Sequence, residues 1–307
     1  MVALAGCGRI GFTAAGGVGD DFPSGDDGGG SDAASGCATT AWGGFVHQSN
    51  LESISGDWEP ALSTDGLHVI FQSQRNATRQ LFYASRTSTD GEFGVAMLLG
   101  TTINVPGDNV NSPHWARDGH FEYEHQASTG GSRLVESRTV DTSAAITVFG
   151  AATQIDTDPI GSQIVETSDQ VERWLTDDVG ASPNEKHTLR YQRRASTMAS
   201  WIEQALPSTF NAMGVGNDDG WVTYDETRHE LWWERGRPGA TGIVSATRSA
   251  EGAAFDSTVT AHPELGSSGD PDLSADGMVI VFASAENIAG FSTMGANDIY
   301  TATRTCQ

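Results

Sequence analysis

A strand-turn-strand signature returns five times in this chain, with turns near Asp65, Asp118, Asp169, Asp225 and Asp276, spaced 53, 51, 56 and 51 residues apart. A period of that length constrains the fold more than any single residue. Each unit is too small to bury its own apolar faces and must stack against its neighbours.

The first and last copies are the clearest. Pro60 to Gly66 precedes Val69-Ile70-Phe71, and Pro271 to Gly277 precedes Val279-Ile280-Val281-Phe282. Asp-Gly between apolar runs predicts a tight hairpin of type I′, in which both central residues take positive φ. Copies three and four carry Asp169-Gln170 and Asp225-Glu226 instead. A third run in every copy ends in arginine, at Arg86, Arg138, Arg194, Arg248 and Arg304, and this regularity predicts a structural role. Phe93, Trp201 and Phe255 mark a fourth run. Met198, Trp201, Ile202, Ala205 and Leu206 also fit one face of a short helix, but their place in the repeat favours a strand.

Four antiparallel strands per unit, radially repeated, predict an all-β fold, a five-bladed β-propeller over residues 43–307. A solenoid has the same period but needs distinct caps. The fifth copy runs out of chain after three strands, and Gly44 to Gln48 supply a spare one, so the N-terminal strand is expected to close the last blade. The 37 glycines and 37% apolar content suit such a fold.

Residues 8–36 hold ten glycines and five aspartates and little apolar bulk, which predicts a disordered tether. Ahead of it, Leu4-Ala5-Gly6-Cys7 resembles the lipobox of bacterial lipoproteins, so residues 1–7 read as a truncated lipoprotein signal with Cys7 as the lipidation site. A chance match in a cytosolic protein is the alternative, since Met1-Val2-Ala3 supplies neither a charged nor an apolar leader segment. With Cys7 assigned to lipid, Cys37 and Cys306 are left as a pair flanking the closing blade of domain 37–307. A bridge between them would stabilise by roughly 5 kcal/mol at most and implies an oxidising compartment. Two unrelated free thiols are the other reading.

Charge bounds the partners. Seventeen basic residues against forty acidic ones leave a net charge of −23, with Lys186 the only lysine. Nucleic-acid binding is therefore not expected. No apolar run reaches eighteen residues, so membrane contact is expected through the lipid anchor only. Gly6 to Gly11 matches a dinucleotide-binding pattern but lacks the flanking strand and helix. His120 and His125 fall on opposite faces of one strand, and the Asp-rich loops lack calcium-ligand alternation, so no metal and no cofactor is expected.

The innermost strands line the channel of a propeller. Repeat register singles out Glu59, His114, Trp221, Asp270 and Asp272 as candidate ligand-binding residues, with no catalytic residue assigned. These groups either satisfy neighbouring backbone and channel water or, as opposed carboxylates, serve a glycosidase.

The pattern Pro-x-Leu-Ser-x-Asp-Gly, then Val-Ile-Phe, then Asp298-Ile299-Tyr300 with its strand-end arginine, resembles the WD40-like PD40 repeat of TolB-type periplasmic propellers. That resemblance covers residues 57–304 and implies a monomeric, non-enzymatic scaffold in the cell envelope that docks a protein or peptide at its channel mouth. TolB itself carries an extra α/β domain and six blades, neither of which is read here. A carbohydrate-active hydrolase using channel-mouth carboxylates is the alternative.

Overall fold

The computed structural model describes residues 41–116, 119–128, 134–141, 148–156, 161–179, 186–211, 218–236, 242–285, 288 and 297–306. The expectations for Cys7, Cys37, the tether at 8–36 and the turn at Asp118 lie outside these residues.

The described chain is all-β apart from one turn of 3-10 helix at Pro263–Leu265. Strand β1 (Gly43–His47) comes first. Sheet I contains β2 (Asp57–Leu62), β3 (His68–Ser73), β4 (Gln80–Ser85) and β5 (Met97–Leu98). Sheet II contains β6 (Asn109–Trp115), β7 (His120–Gln126), β8 (Leu134–Asp141) and β10 (Thr153–Asp156), with β9 (Val148–Phe149) also pairing β8. Sheet III runs β11 (Gly161–Glu166), β12 (Glu172–Val179), β13 (Lys186–Arg193), β14 (Ile202–Gln204). Sheet IV runs β15 (Asp218–Asp225), β16 (Glu230–Gly236), β17 (Gly242–Thr247), β18 (Thr260–Ala261). Sheet V joins β19 (Ser268–Leu273), β20 (Val279–Ser284) and β21 (Asp298–Thr303) to β1. All pairings are antiparallel. Sheet II exceeds the expected four strands because β9 adds a fifth.

The innermost strands β2, β6, β11, β15 and β19 neighbour one another in cyclic order, β19 returning to β2. This is a β-propeller arrangement. Strand β1 lies at the outer edge of sheet V, with Gly43 opposite Thr303 and His47 opposite Tyr300. In the segment at 198–206, Met198 and Ala199 end a turn and Ile202–Gln204 form β14, so it is not a helix.

Apolar cores lie between the sheets because side chains alternate faces along a strand. Leu231 and Trp233 pack toward sheet III while Trp232 between them packs toward sheet V. Val279 and Val281 face sheet I, whereas Ile280 and Phe282 face sheet IV. This is why the second strands read as uninterrupted apolar runs: both faces are buried.

The hairpins differ from the expected type I′. Only the glycine takes positive φ, at +71° for Gly66 and +65° for Gly277. Asp65 instead accepts hydrogen bonds from the Leu67 N–H (3.0 Å) and the Ser63 hydroxyl (2.6 Å), while the Gly66 N–H bonds the Ser63 carbonyl (2.8 Å). That is a type I turn followed by a left-handed glycine. Copy three keeps the geometry with Gln170 at φ +59°.

The repeated arginines and aromatics form pairs. The guanidinium of Arg86 lies 4.4 Å from the Phe93 ring centroid, that of Arg194 4.1 Å from Trp201, that of Arg248 5.0 Å from Phe255 and that of Arg304 4.6 Å from Trp42. Phe93 and Phe255 therefore precede the outer strands rather than belonging to them. Arg248 also joins two sheets: it is fully buried against Glu172 of sheet III, and its guanidinium donates to the hydroxyls of Tyr224 and Tyr191. Arg248→Ala would leave the Glu172 carboxylate buried without this partner. It is expected to lower unfolding stability by about 3–5 kcal/mol, read by denaturant titration.

Candidate functional site

Each innermost strand carries a register shift near its start. In four of them the extra residue is left-handed and not glycine: Glu59 (φ 48°), Ser112 (φ 48°), Trp221 (φ 48°) and Asp270 (φ 51°). Such conformations cost on the order of 1 kcal/mol or more each and persist only where neighbouring structure holds them.

Hydrogen bonds from the adjacent sheet do the holding. The Trp221 N–H donates to Thr176 Oγ1 (2.9 Å), the Asp270 N–H to Glu234 Oε2 (3.2 Å), the Glu59 N–H to Asp270 Oδ2 (3.0 Å) and the Ser112 N–H to Glu59 Oε2 (2.6 Å). Four junctions are thus tied in the same sense: III to IV, IV to V, V to I and I to II. Thr176 and Glu234 occupy equivalent second-strand positions, opposite Gln163 and Gly220. The equivalent residue of sheet V is Ala283, opposite Gly269. It offers no side-chain acceptor, so Asp270 itself takes the Glu59 N–H. Gly269 is needed beside this chain, since a Cβ there would collide with the Glu234 carboxylate.

These residues floor a cavity of about 580 Å³ walled by Trp58, Arg79, Glu124, His187, Trp221 and Glu234 among others. Beneath it, Glu59, Ser112, Trp221 and Asp270 also border a second space of only about 10 Å³, edged by Pro60, Pro113 and Pro271. The bulge residues therefore pinch the channel and turn one side of it into a blind pocket.

Of the five candidates from sequence, Glu59, Trp221 and Asp270 meet in this pocket. His114 and Asp272 do not line it. His114 is buried opposite Glu122, and Asp272 accepts hydrogen bonds from the Leu62 N–H (2.7 Å) and the Thr223 hydroxyl (2.8 Å). The extra residue in each strand breaks the period of two, so a residue two positions beyond it no longer faces the channel. Glu124, Glu234, Arg79 and His187 escape a search confined to innermost strands. A legible signal for two of them is a polar residue late in a second-strand apolar run.

Burial raises the carboxyl of Glu59, against the opposing pull of the Ser112 N–H, Arg79 and the Trp221 indole, whose Nε1–H donates to Glu59 Oε1 (3.3 Å). Asp270 is pushed well above its ordinary 3.8 by burial, then by the negative charges of Glu234 and Glu59. The His187 ring lies 4.3 Å from that of Trp221 and adds positive potential to both acids.

No family model matches the chain, and no curated protein matches it in sequence. Among solved structures, the catalytic domain of a Coprinopsis cinerea GH62 α-L-arabinofuranosidase aligns with a TM-score of 0.56 at 14% identity, over 86% of this chain and 97% of that one. The α-L-arabinofuranosidase PaAbf62A from Podospora anserina, solved with cellotriose, aligns at 0.54 and 11% identity over 87% and 97%. TolB from Acinetobacter baumannii aligns at 0.45 and 16% identity, covering 83% of this chain and 56% of that one. At these identities the likeness is one of fold. The propeller expectation stands in that coarse form, while no family model supports the PD40 assignment. The expectation of a non-enzymatic docking scaffold is corrected: the two alignments above with TM-scores over 0.5 are to glycoside hydrolases, not to a docking scaffold.

A raised carboxyl pKa opposes folding once the group ionises. Stability attributable to neutral Asp270 is full below its ordinary 3.8 and is lost as pH rises through its folded value. Asp270→Asn keeps an oxygen to accept the Glu59 N–H and removes the charge. Its thermal midpoint is expected to exceed that of the unsubstituted protein at pH 8, by roughly 2–4 °C per kcal/mol relieved, with the gap narrowing toward pH 4.

Proposed function

We propose that the protein is a carbohydrate-active hydrolase whose site is the blind pocket above Glu59 and Asp270. We also read the five sheets as the five blades of one ring closed by β1, a reading the cyclic contact of the inner strands supports.

One observation carries the proposal: a cavity of about 580 Å³ brings together Asp270, whose buried carboxyl is pushed well above its ordinary 3.8, and the carboxyls of Glu59 and Glu234, with Trp58 and Trp221 at its wall. Glycoside hydrolysis needs an acid that still carries its proton at working pH and a second, ionised carboxylate facing the same bond. Asp270 fits the first role and would protonate the leaving glycosidic oxygen as the anomeric C–O bond breaks. Glu59, held by the Ser112 N–H and the Trp221 indole, fits the second and would direct or assist the water that replaces the leaving group. Trp58 and Trp221 offer faces on which a sugar ring can stack. The fold likeness to two arabinofuranosidases favours this chemistry over docking and makes α-L-arabinofuranosides the first substrates to try.

We further place the enzyme outside the reducing cytoplasm. Cys306 is disulfide-bonded, which supports an oxidising compartment, and Cys37, its partner in the sequence reading, lies outside the described residues.

A panel of 4-nitrophenyl glycosides, the α-L-arabinofuranoside included, tests the proposal. Turnover is expected to decline on the alkaline side as Asp270 loses its proton, and Asp270→Asn is expected to reduce kcat by about 10²–10⁴-fold. Absence of hydrolysis across arabino-, xylo- and galacto-configured substrates, or a variant as active as the parent, would reject it.

A further inference from the structure

Away from the pocket, the seam that closes the ring gathers three metal-ligating side chains. His47 is the last residue of β1, Glu52 follows on the next turn, and Asp298 opens β21. One ligand atom of each lies within 4.8 Å of the others. His47 Nε2 is 3.4 Å from Asp298 Oδ2. Ligands on a four-coordinate zinc, with arms of about 2.0–2.1 Å, stand roughly 3.3 Å apart, so this pair already has the required spacing.

The place is dry and held from several directions. The Asp298 side chain is fully buried and that of His47 is 10% exposed. The Gln48 N–H donates to the Ile299 carbonyl (3.0 Å) and the Leu51 N–H to the Gln48 carbonyl (2.8 Å). Leu51, completely buried, anchors the turn that returns Glu52 toward the strand pair. Among the described residues, Glu52 Oε1 is inaccessible to solvent and accepts no hydrogen bond. A buried carboxylate oxygen without a donor beside a histidine and a second carboxylate calls for a cation.

We propose that His47, Glu52 and Asp298 form a divalent-cation site that clasps the closing strand β1 to β21. One imidazole nitrogen with two carboxylates selects Zn²⁺ or a neighbouring first-row ion over Mg²⁺ and Ca²⁺, which favour all-oxygen sets. Three protein ligands leave the fourth position to water. The site is independent of the pocket chemistry and supports ring closure, because His47 and Glu52 come from the N-terminal segment that carries β1 and Asp298 from β21, the strand with which β1 pairs.

The test is isothermal titration of the chelator-treated full chain with Zn²⁺ alone, paired with thermal unfolding. One equivalent is expected to bind, the unfolding midpoint to rise on binding, and Ca²⁺ not to compete at equal concentration. His47→Gln retains an N–H donor toward Asp298 and is expected to lower Zn²⁺ affinity by at least about 100-fold. Glu52→Gln, nearer the surface, gives the same readout if the first variant does not fold. The proposal is overturned by no saturable binding, by binding that both variants leave unchanged, or by equal preference for Ca²⁺. It is also overturned if the unfolding midpoint does not respond to Zn²⁺.

Discussion

A left-handed residue in an inner strand, its N–H taken by a side chain of the neighbouring sheet, is the contact on which the centre of this molecule depends. A regular strand would point its amides along its own ladder and leave the channel open. The bulge releases one amide per strand from the ladder and turns it across the gap between sheets, where Thr176, Glu234, Asp270 and Glu59 accept in succession. The same step fixes the spacing of the inner strands, pinches the channel and gathers three acids at its floor.

The acids are held there against their preference for water. Their amide donors offset part of the desolvation, while burial and then the negative charges of Glu234 and Glu59 push the Asp270 carboxyl well above its ordinary 3.8. Cations are used sparingly in a chain with seventeen of them to forty acids. Many are committed to buried pairs elsewhere: Arg248 with Glu172, Arg304 with Asp225, and Arg235 with Asp219. Among the described residues of the pocket wall, Arg79 and His187 are the cations that face the carboxylates of Glu59, Glu124, Glu234 and Asp270.

Much of the fold was legible because its signals are local or periodic. Val-Ile-Val-Phe at 279–282 announces a strand buried on both faces, and the recurring Asp-Gly announces the hairpins. Turn type was misread because the aspartate acts through its side chain, accepting the Leu67 and Met278 amides, and never adopts positive φ itself. The aromatics at Phe93 and Phe255 were read as strand residues because their arginine partners lie several positions earlier, a pairing that spacing does not announce. Repeat register by itself points to Glu59, Trp221 and Asp270, which line one cavity. His114 and Asp272 were misplaced by the same register, since an inserted residue inverts the facing of everything beyond it. The expectation of a docking scaffold follows from a repeat shared by sequence pattern, whereas the whole-chain alignments show a fold that enzymes share.

The sequence by itself determined that the chain would be all-β and built of repeated units with apolar faces to bury against one another, because hydrophobic alternation and turn chemistry act over a few residues and carry no information about distance. Tertiary structure alone decided which polar residues share a space. Burial and the pairing of carboxylate with amide across sheets depend on groups more than two hundred residues apart, such as Glu59 and Asp270, which meet only when the inner strands of different sheets pack together.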